Sequence, residues 1–250
     1  MRLPIAWVVA AKDMNEFRRN RYVMWTLVGM PITLSLVPLM SLLIPMLFFP
    51  SSMSDSDRMV LLKMLPSFTL PMLSMVPAIT PSIIASYSFV GEKVNRSLEP
   101  LLATPTTDYE LLVGKSLAAF VPTMVGTYAA FLIDIVLIDW AALPILGYLI
   151  VPDLSWAIAI VLLSPSFCVL SIEANVLVSS RMSDVRAAQQ VGGLVVMPMV
   201  LIYLVSLTNF FPLTPTNMLL ISGLTLSAVL VLGSFTKRVF QREEILTKWK

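Results

Sequence analysis

Residues 187–236 read AAQQVGGLVVMPMVLIYLVSLTNFFPLTPTNMLLISGLTLSAVLVLGSFT, a run without a single charged side chain. A helix rising 1.5 Å per residue needs about 20 apolar residues to cross a hydrocarbon core of about 30 Å, so this run is too long for one crossing and too apolar for a soluble surface. Asn209, Pro212, Pro215 and Asn217 break it into two spans, at 187–208 and 217–238. The same test applied toward the N-terminus gives four more, at 23–49, 64–91, 112–138 and 154–180. Within them Asp134 interrupts the third span and Glu173 the fourth. The expected fold is therefore an all-α integral membrane protein of about six transmembrane helices, forming one membrane domain over residues 1–250.

Composition agrees. Apolar residues make up 57% of the chain and charged ones 13%, against roughly 25% charged in a soluble domain; the mean hydropathy is +0.86. The net charge of +2 is spread along the chain rather than gathered in one block, so no nucleic-acid partner is expected. Cys168 stands alone, which excludes an internal disulfide and CxxC chemistry. The absence of histidine removes HExxH zinc sites, histidine-based nucleophile triads and histidine proton relays. The 16 methionines could take a soft metal through their thioethers, but flexible filling of an irregular core is the plainer reading. Gly114, Lys115 and Ser116 spell the end of a phosphate-binding loop, yet Tyr109 occupies the place of its first glycine and the tripeptide opens a membrane helix.

Of the 17 basic residues, only Arg58 and Lys63 fall on one side of the six-span layout. The positive-inside rule then places both termini in the cytoplasm and the segments around Asp55, Asp57 and Asp153 outside. Apolar Ile5–Ala11 is too short for a signal peptide and runs straight into Lys12, Asp13, Glu16 and Arg18. Residues 1–22 instead read as an amphipathic helix on the inner membrane surface. Trp7, Ala10, Ala11, Met14 and Phe17 would face the membrane, with Lys12, Glu16 and Arg19 mostly turned away. Residues 239–250 read as a cytoplasmic tail. Trp140–Pro152, apolar but short and broken by Pro and Gly, is expected to be an interfacial or re-entrant piece on the outer side. Prolines 66, 71, 77 and 81 in the second span each remove a backbone donor and invite a kink.

Between the second and third spans stands GEKVNRSLEPLLATPTTDYELLVGK, residues 91–115, amphipathic and longer than a minimal turn. It resembles the ABC type-2 permease family, whose members carry a pattern like RExExGTLExLLxTPxxxxExxxGK at the same place. Glu92 and Lys93 open the match; Ser97, Leu98 and Glu99 stand for Thr-Leu-Glu; Leu101, Leu102, Thr104 and Pro105 continue it; Glu110, Gly114 and Lys115 close it. Gly91 and Arg96 depart from the family's leading Arg and its Gly. The stretches KDMNEFRRNR, SSRMSDVRAAQQVGG followed by Pro198, and FQREEIL are similar to the family as well.

The resemblance implies a permease subunit of an ABC exporter, working with a separate ATPase subunit that carries ATP and Mg, while the chain itself binds no cofactor. It implies a second permease subunit, in a homodimer or a heterodimer, within a prokaryotic cytoplasmic membrane. It also implies that residues 91–109 form a coupling helix seated in the ATPase, with Arg181, Asp184 and Arg186 offering a smaller contact. Apolar Leu98, Leu101 and Leu102 beside charged Glu92, Lys93, Arg96 and Glu99 suit docking by burial and ion pairing.

Glu173 lies eight residues before Arg181, about 12 Å into the membrane by helix rise. An acid at that depth is a transport-path candidate, for substrate or a coupling cation, or else makes a structural hydrogen bond to a neighbouring helix. Asp134 and Asp139 fall near the outer end of their span and are expected to be solvated there. The rival to the exporter is a stand-alone ion-coupled carrier or channel using Glu173, with Asp134 as a second candidate ligand.

Overall fold

In the computed structural model the chain is described over residues 3–48, 54–91, 106–182, 184–207 and 211–239. These residues are helical with no strand among them: α1 (Leu3–Arg19), α2 (Arg21–Phe48), α3 (Asp55–Ser86, continued by a π turn, Tyr87–Gly91), α4 (Asp108–Leu146), α5 (Leu154–Ile158, with a π turn, Ala159–Leu163), α6 (Ser164–Arg181), α7 (Val185–Gly193), α8 (Met197–Leu207) and α9 (Pro215–Val239). Six segments are long and apolar enough to cross a membrane: Arg21–Met40, Asp55–Gly91, Asp108–Leu146, Leu154–Ser180, Val185–Ser206 and Pro215–Thr236. This is the all-helical, six-span architecture that the hydropathy pattern predicts.

Local chemistry sets several of the ends. Ser54 caps α3 reciprocally with Asp57: the Asp57 N–H donates to Ser54 Oγ at 3.2 Å and the Ser54 N–H to Asp57 Oδ2 at 3.2 Å. Thr107 and Glu110 repeat that arrangement at the start of α4. Prolines 66, 71, 77 and 81 all sit inside one continuous α3. Buried on neighbouring helices, a membrane helix tolerates the lost backbone bonds.

Of the segment Trp140–Pro152, the first part is helical. α4 runs through Trp140 to Leu146, a helix of 39 residues or about 58 Å, longer than a bilayer core. Pro144 lies inside it and forfeits the one bond that its missing N–H would make to Trp140. Gly147, at φ 75°, closes the helix by donating its N–H to Leu143 O at 3.0 Å. The chain then turns back on Asp139, whose Oδ1 accepts the N–H groups of Ile150 at 2.9 Å and Val151 at 3.2 Å.

Two apolar clusters hold the bundle. One gathers Leu39, Leu65, Leu73, Phe131, Trp156 and Phe167, with Phe131 and Trp156 edge to face at 5.7 Å. The other, toward α1, gathers Phe17, Val23, Ile84, Phe89, Leu112 and Ile172. A buried polar seam joins α3 to α6. Ser171 Oγ donates to Ala78 O at 2.7 Å and lies 3.0 Å from Ser82 Oγ; Asn175 Nδ2 donates to Ser82 Oγ at 2.9 Å and Asn175 Oδ1 accepts from Ser86 Oγ at 3.1 Å. Gly192 of α7 closes the seam, because a Cβ there would collide with the Asn175 carboxamide. Such interhelical bonds matter where lipid offers the polar groups no alternative. Gly192→Val should therefore cost about 1–3 kcal/mol by overpacking, read as a lower unfolding temperature in detergent that Asn175→Ala in the same chain partly restores.

Candidate functional site

The segment carrying the family pattern begins and ends in one buried cluster. Lys115, wholly buried on α4, donates from Nζ to Asp13 Oδ2 at 3.3 Å, to Ser88 O at 2.9 Å and to Ser88 Oγ at 3.2 Å. Ser88, in the π turn that ends the second span, donates from Oγ to Asp13 Oδ2 at 2.7 Å. The Phe89 ring adds a cation–π contact, its centroid 5.5 Å from Nζ. Asp13 belongs to α1, and its Oδ1 also meets Lys12 at 3.4 Å. One carboxylate on the N-terminal helix thus joins the residue four positions before Glu92 to the residue ten positions after Pro105.

Gly114 makes the arrangement possible. A Cβ there would stand 2.7 Å from Ala6 O and 2.8 Å from Val9 Cβ, so α1 can lie directly on the α4 backbone. Between these anchors, Thr107 Oγ1 accepts the Glu110 N–H at 3.3 Å and Glu110 Oε2 accepts the Thr107 N–H at 3.1 Å. The pattern's closing Glu, Gly and Lys therefore serve as helix cap, close-approach point and buried cation. The spacing Thr107-x-x-Glu110 is a sequence signature of such a cap.

This changes the reading of α1. Its buried face is Ala6, Val9, Ala10, Asp13 and Phe17, with Asp13 on the apolar stripe, while Trp7, expected to face the membrane, is exposed. Lys115, counted with the surface charges in the orientation argument, is the most deeply buried cation described. A polar residue in register with Ala6, Val9, Ala10 and Phe17 was the available signal.

Of the other expected contact residues, Glu92, Lys93, Arg96, Leu98, Glu99, Leu101 and Leu102 lie outside the described residues. Arg181 ends α6 as backbone. Asp184 caps α7, its Oδ1 accepting the N–H groups of Arg186 at 2.6 Å and Ala187 at 3.0 Å. Those bonds, that from Ala187 first, hold its carboxyl below the usual range. Arg186 stands exposed beside it.

Glu173, half-buried on α6, floors a groove of about 240 Å³ between α4, which supplies Leu112, Ser116 and Phe120, and α9, which supplies Gly233 and Thr236. A Cβ at position 233 would stand 2.7 Å from Glu173 Oε1, so glycine makes room for the carboxylate.

Asp134 is not solvated at the outer interface as expected; it is fully buried. Its Oδ1 accepts a hydrogen bond from Ser35 of α2, and Oδ2 has no partner among the described residues. The cause is the close run of α2 along α4: a Cβ at Gly126 would stand 3.1 Å from Leu27 O, and eight residues further along both helices Ser35 meets Asp134. Asp139, partly exposed, is the acid that meets the outer turn.

Among the described residues no group of acids and cysteines could hold a metal ion. Six apolar spans, exposed Leu, Val and Trp side chains along them and acids held between the helices define a polytopic helical membrane protein. Residues 7–213 match the model of the ABC-2 family transporter protein, and the chain belongs to that family, a membrane component of ABC transporters. No curated protein matches the chain.

Removing one member of the buried pair should be costly. Asp13→Ala or Lys115→Met is expected to destabilise by about 3–5 kcal/mol, and the double variant by less than the sum, as chemical unfolding in detergent would show. Asp184→Ala should speed hydrogen exchange at the amides of residues 186–188, with Asp184→Asn near wild type. Because the folded carboxyl lies below its unfolded value, the cap is intact above the usual carboxylate range and is lost as pH falls through the lowered pKa.

Proposed function

We propose that the chain is the membrane-spanning permease subunit of an ATP-driven ABC exporter, forming the substrate path and coupling to a separate ATPase subunit. Residues 1–250 then form one permease domain, with 91–109 as its coupling segment and 239–250 as a tail. Family membership supports this reading. The observation that carries it is the clamp at the stems of residues 92–105, where Ser88 on one side and Lys115 on the other share Asp13. Ser88 and Lys115, tied to one carboxylate on either side of the segment, would pass a push to α1, α3 and α4 together. Closure of an ATPase dimer around ATP and Mg would press the coupling segments of two permease subunits, identical or different, and rock the spans between inward and outward access. Arg181, Asp184 and Arg186 would give the ATPase a second, smaller contact, the cap at Asp184 presenting the exposed Arg186. In this reading both termini are cytoplasmic in the plasma membrane, and ATP hydrolysis belongs to the partner.

A second reading rests on the Glu173 groove. A carboxylate about 12 Å from the end of its helix, beside an apolar opening, suits an ion-coupled carrier as well as a substrate contact.

Affinity purification in mild detergent tests the first reading: a P-loop ATPase should co-purify in equal amount and be lost when residues 91–109 are altered. Glu99→Ala or Arg96→Ala should lower substrate-stimulated ATPase activity about ten-fold, the equivalent of about 1.4 kcal/mol, with helical content unchanged. A chain that purifies alone and conducts ions in liposomes without nucleotide would support the second reading instead.

A further inference from the structure

The corner between α1 and α2 carries charge that no acid among the described residues pairs with. Arg18 and Arg19 end α1, Asn20 separates the helices, and Arg21 begins α2. Asn20 fixes the corner by accepting the N–H groups of Tyr22 at 3.0 Å and Val23 at 3.4 Å on its Oδ1. All three arginines are exposed, and the neighbouring acids are engaged elsewhere: Asp13 with Lys115 at 3.3 Å and Glu16 with Lys12 at 3.7 Å.

Large aromatic residues flank this charge on the outward side. The opposite face of α1, from Ala6 to Phe17, is buried, so its exposed face has a fixed direction. Trp7 and Arg18 are eleven residues apart, about three helical turns, and therefore share that face, as do Val8 and Arg19. On α2, Trp25 lies one turn beyond Arg21 and is 75% exposed, with Tyr22 exposed beside it. In a membrane protein, tryptophan and tyrosine at a helix end mark the headgroup level. Guanidinium groups there offer forked donors that match phosphate oxygens.

We propose that this corner is a binding site for anionic phospholipid headgroups, with Arg18, Arg19 and Arg21 holding the phosphate and Trp7, Tyr22 and Trp25 seated at the headgroup–acyl boundary. Assignment to the inner leaflet rests on the orientation proposed above; the binding itself does not. Arginines that served only to orient the chain or to complement the end of α1 would show no headgroup preference.

The test uses the full chain in mild detergent, with mixed micelles of phosphatidylglycerol or phosphatidylcholine. Phosphatidylglycerol should raise the unfolding temperature and remain bound through purification, as mass spectrometry would show, whereas phosphatidylcholine and inorganic phosphate should do neither. Arg18→Gln, Arg19→Gln and Arg21→Gln together should lower retention of phosphatidylglycerol at least about ten-fold, and the three Arg→Lys changes, which keep the charge but lose the fork, should fall between wild type and the Gln variant. If the triple variant does not accumulate, each single Gln variant should show part of the loss. Equal retention of the two lipids, or Gln variants that keep phosphatidylglycerol as wild type does, overturns the proposal. Neither result depends on ATPase binding, so failure here is separable from failure of the exporter reading.

Discussion

A lysine cannot be buried in a membrane protein without an anion and acceptors close by, and Lys115 imposes that constraint on everything around it. Asp13 supplies the anion and Ser88 the acceptors, at 2.9–3.3 Å. To deliver Asp13, α1 must lie against α4, and Gly114 lets it approach the α4 backbone there. The N-terminal helix is thus packed into the bundle through one face. The same carboxylate joins Ser88 and Lys115, which stand on either side of residues 92–105.

Away from that cluster, the bundle is built for rigid pieces. Apolar packing is divided between two clusters, and the polar seam of Ser82, Ser86, Ser171 and Asn175 fastens α3 to α6 where backbone and side-chain groups would otherwise face lipid unsatisfied. Glu173 and Asp134 differ in kind. Asp134 is enclosed by the α2–α4 contact, whereas Glu173 borders an opening between α4 and α9. Only the second position has the room a transported group would need.

The spans were legible in sequence because hydrocarbon thickness sets a length scale that fifty uncharged residues cannot hide. The family was legible because Glu110, Gly114 and Lys115 keep fixed spacing. What those residues do was not legible, since Lys115 finds its partner on another helix, 102 positions away, and a tally of surface charge treats it like any other lysine. On α1, Lys12, Glu16 and Arg19 are exposed as their spacing suggests, but the place of Asp13 on the buried stripe was not read, because its partner Lys115 lies on another helix. Asp134 was placed in water from its distance along the helix, a measure blind to α2 crossing beside it. Trp140–Leu146 was set apart from the third span for its Pro and Gly, whereas the helix runs on through Pro144 as it does through Pro122.

The central claim is that movement through this chain is driven by nucleotide on a partner. Flux measured in proteoliposomes holding the chain and its co-purified ATPase, with ATP and Mg, with ATP alone and without the ATPase, tests it most directly. The account predicts substrate movement in the first condition alone. Flux through the chain by itself, independent of nucleotide and abolished by Glu173→Gln, would contradict it.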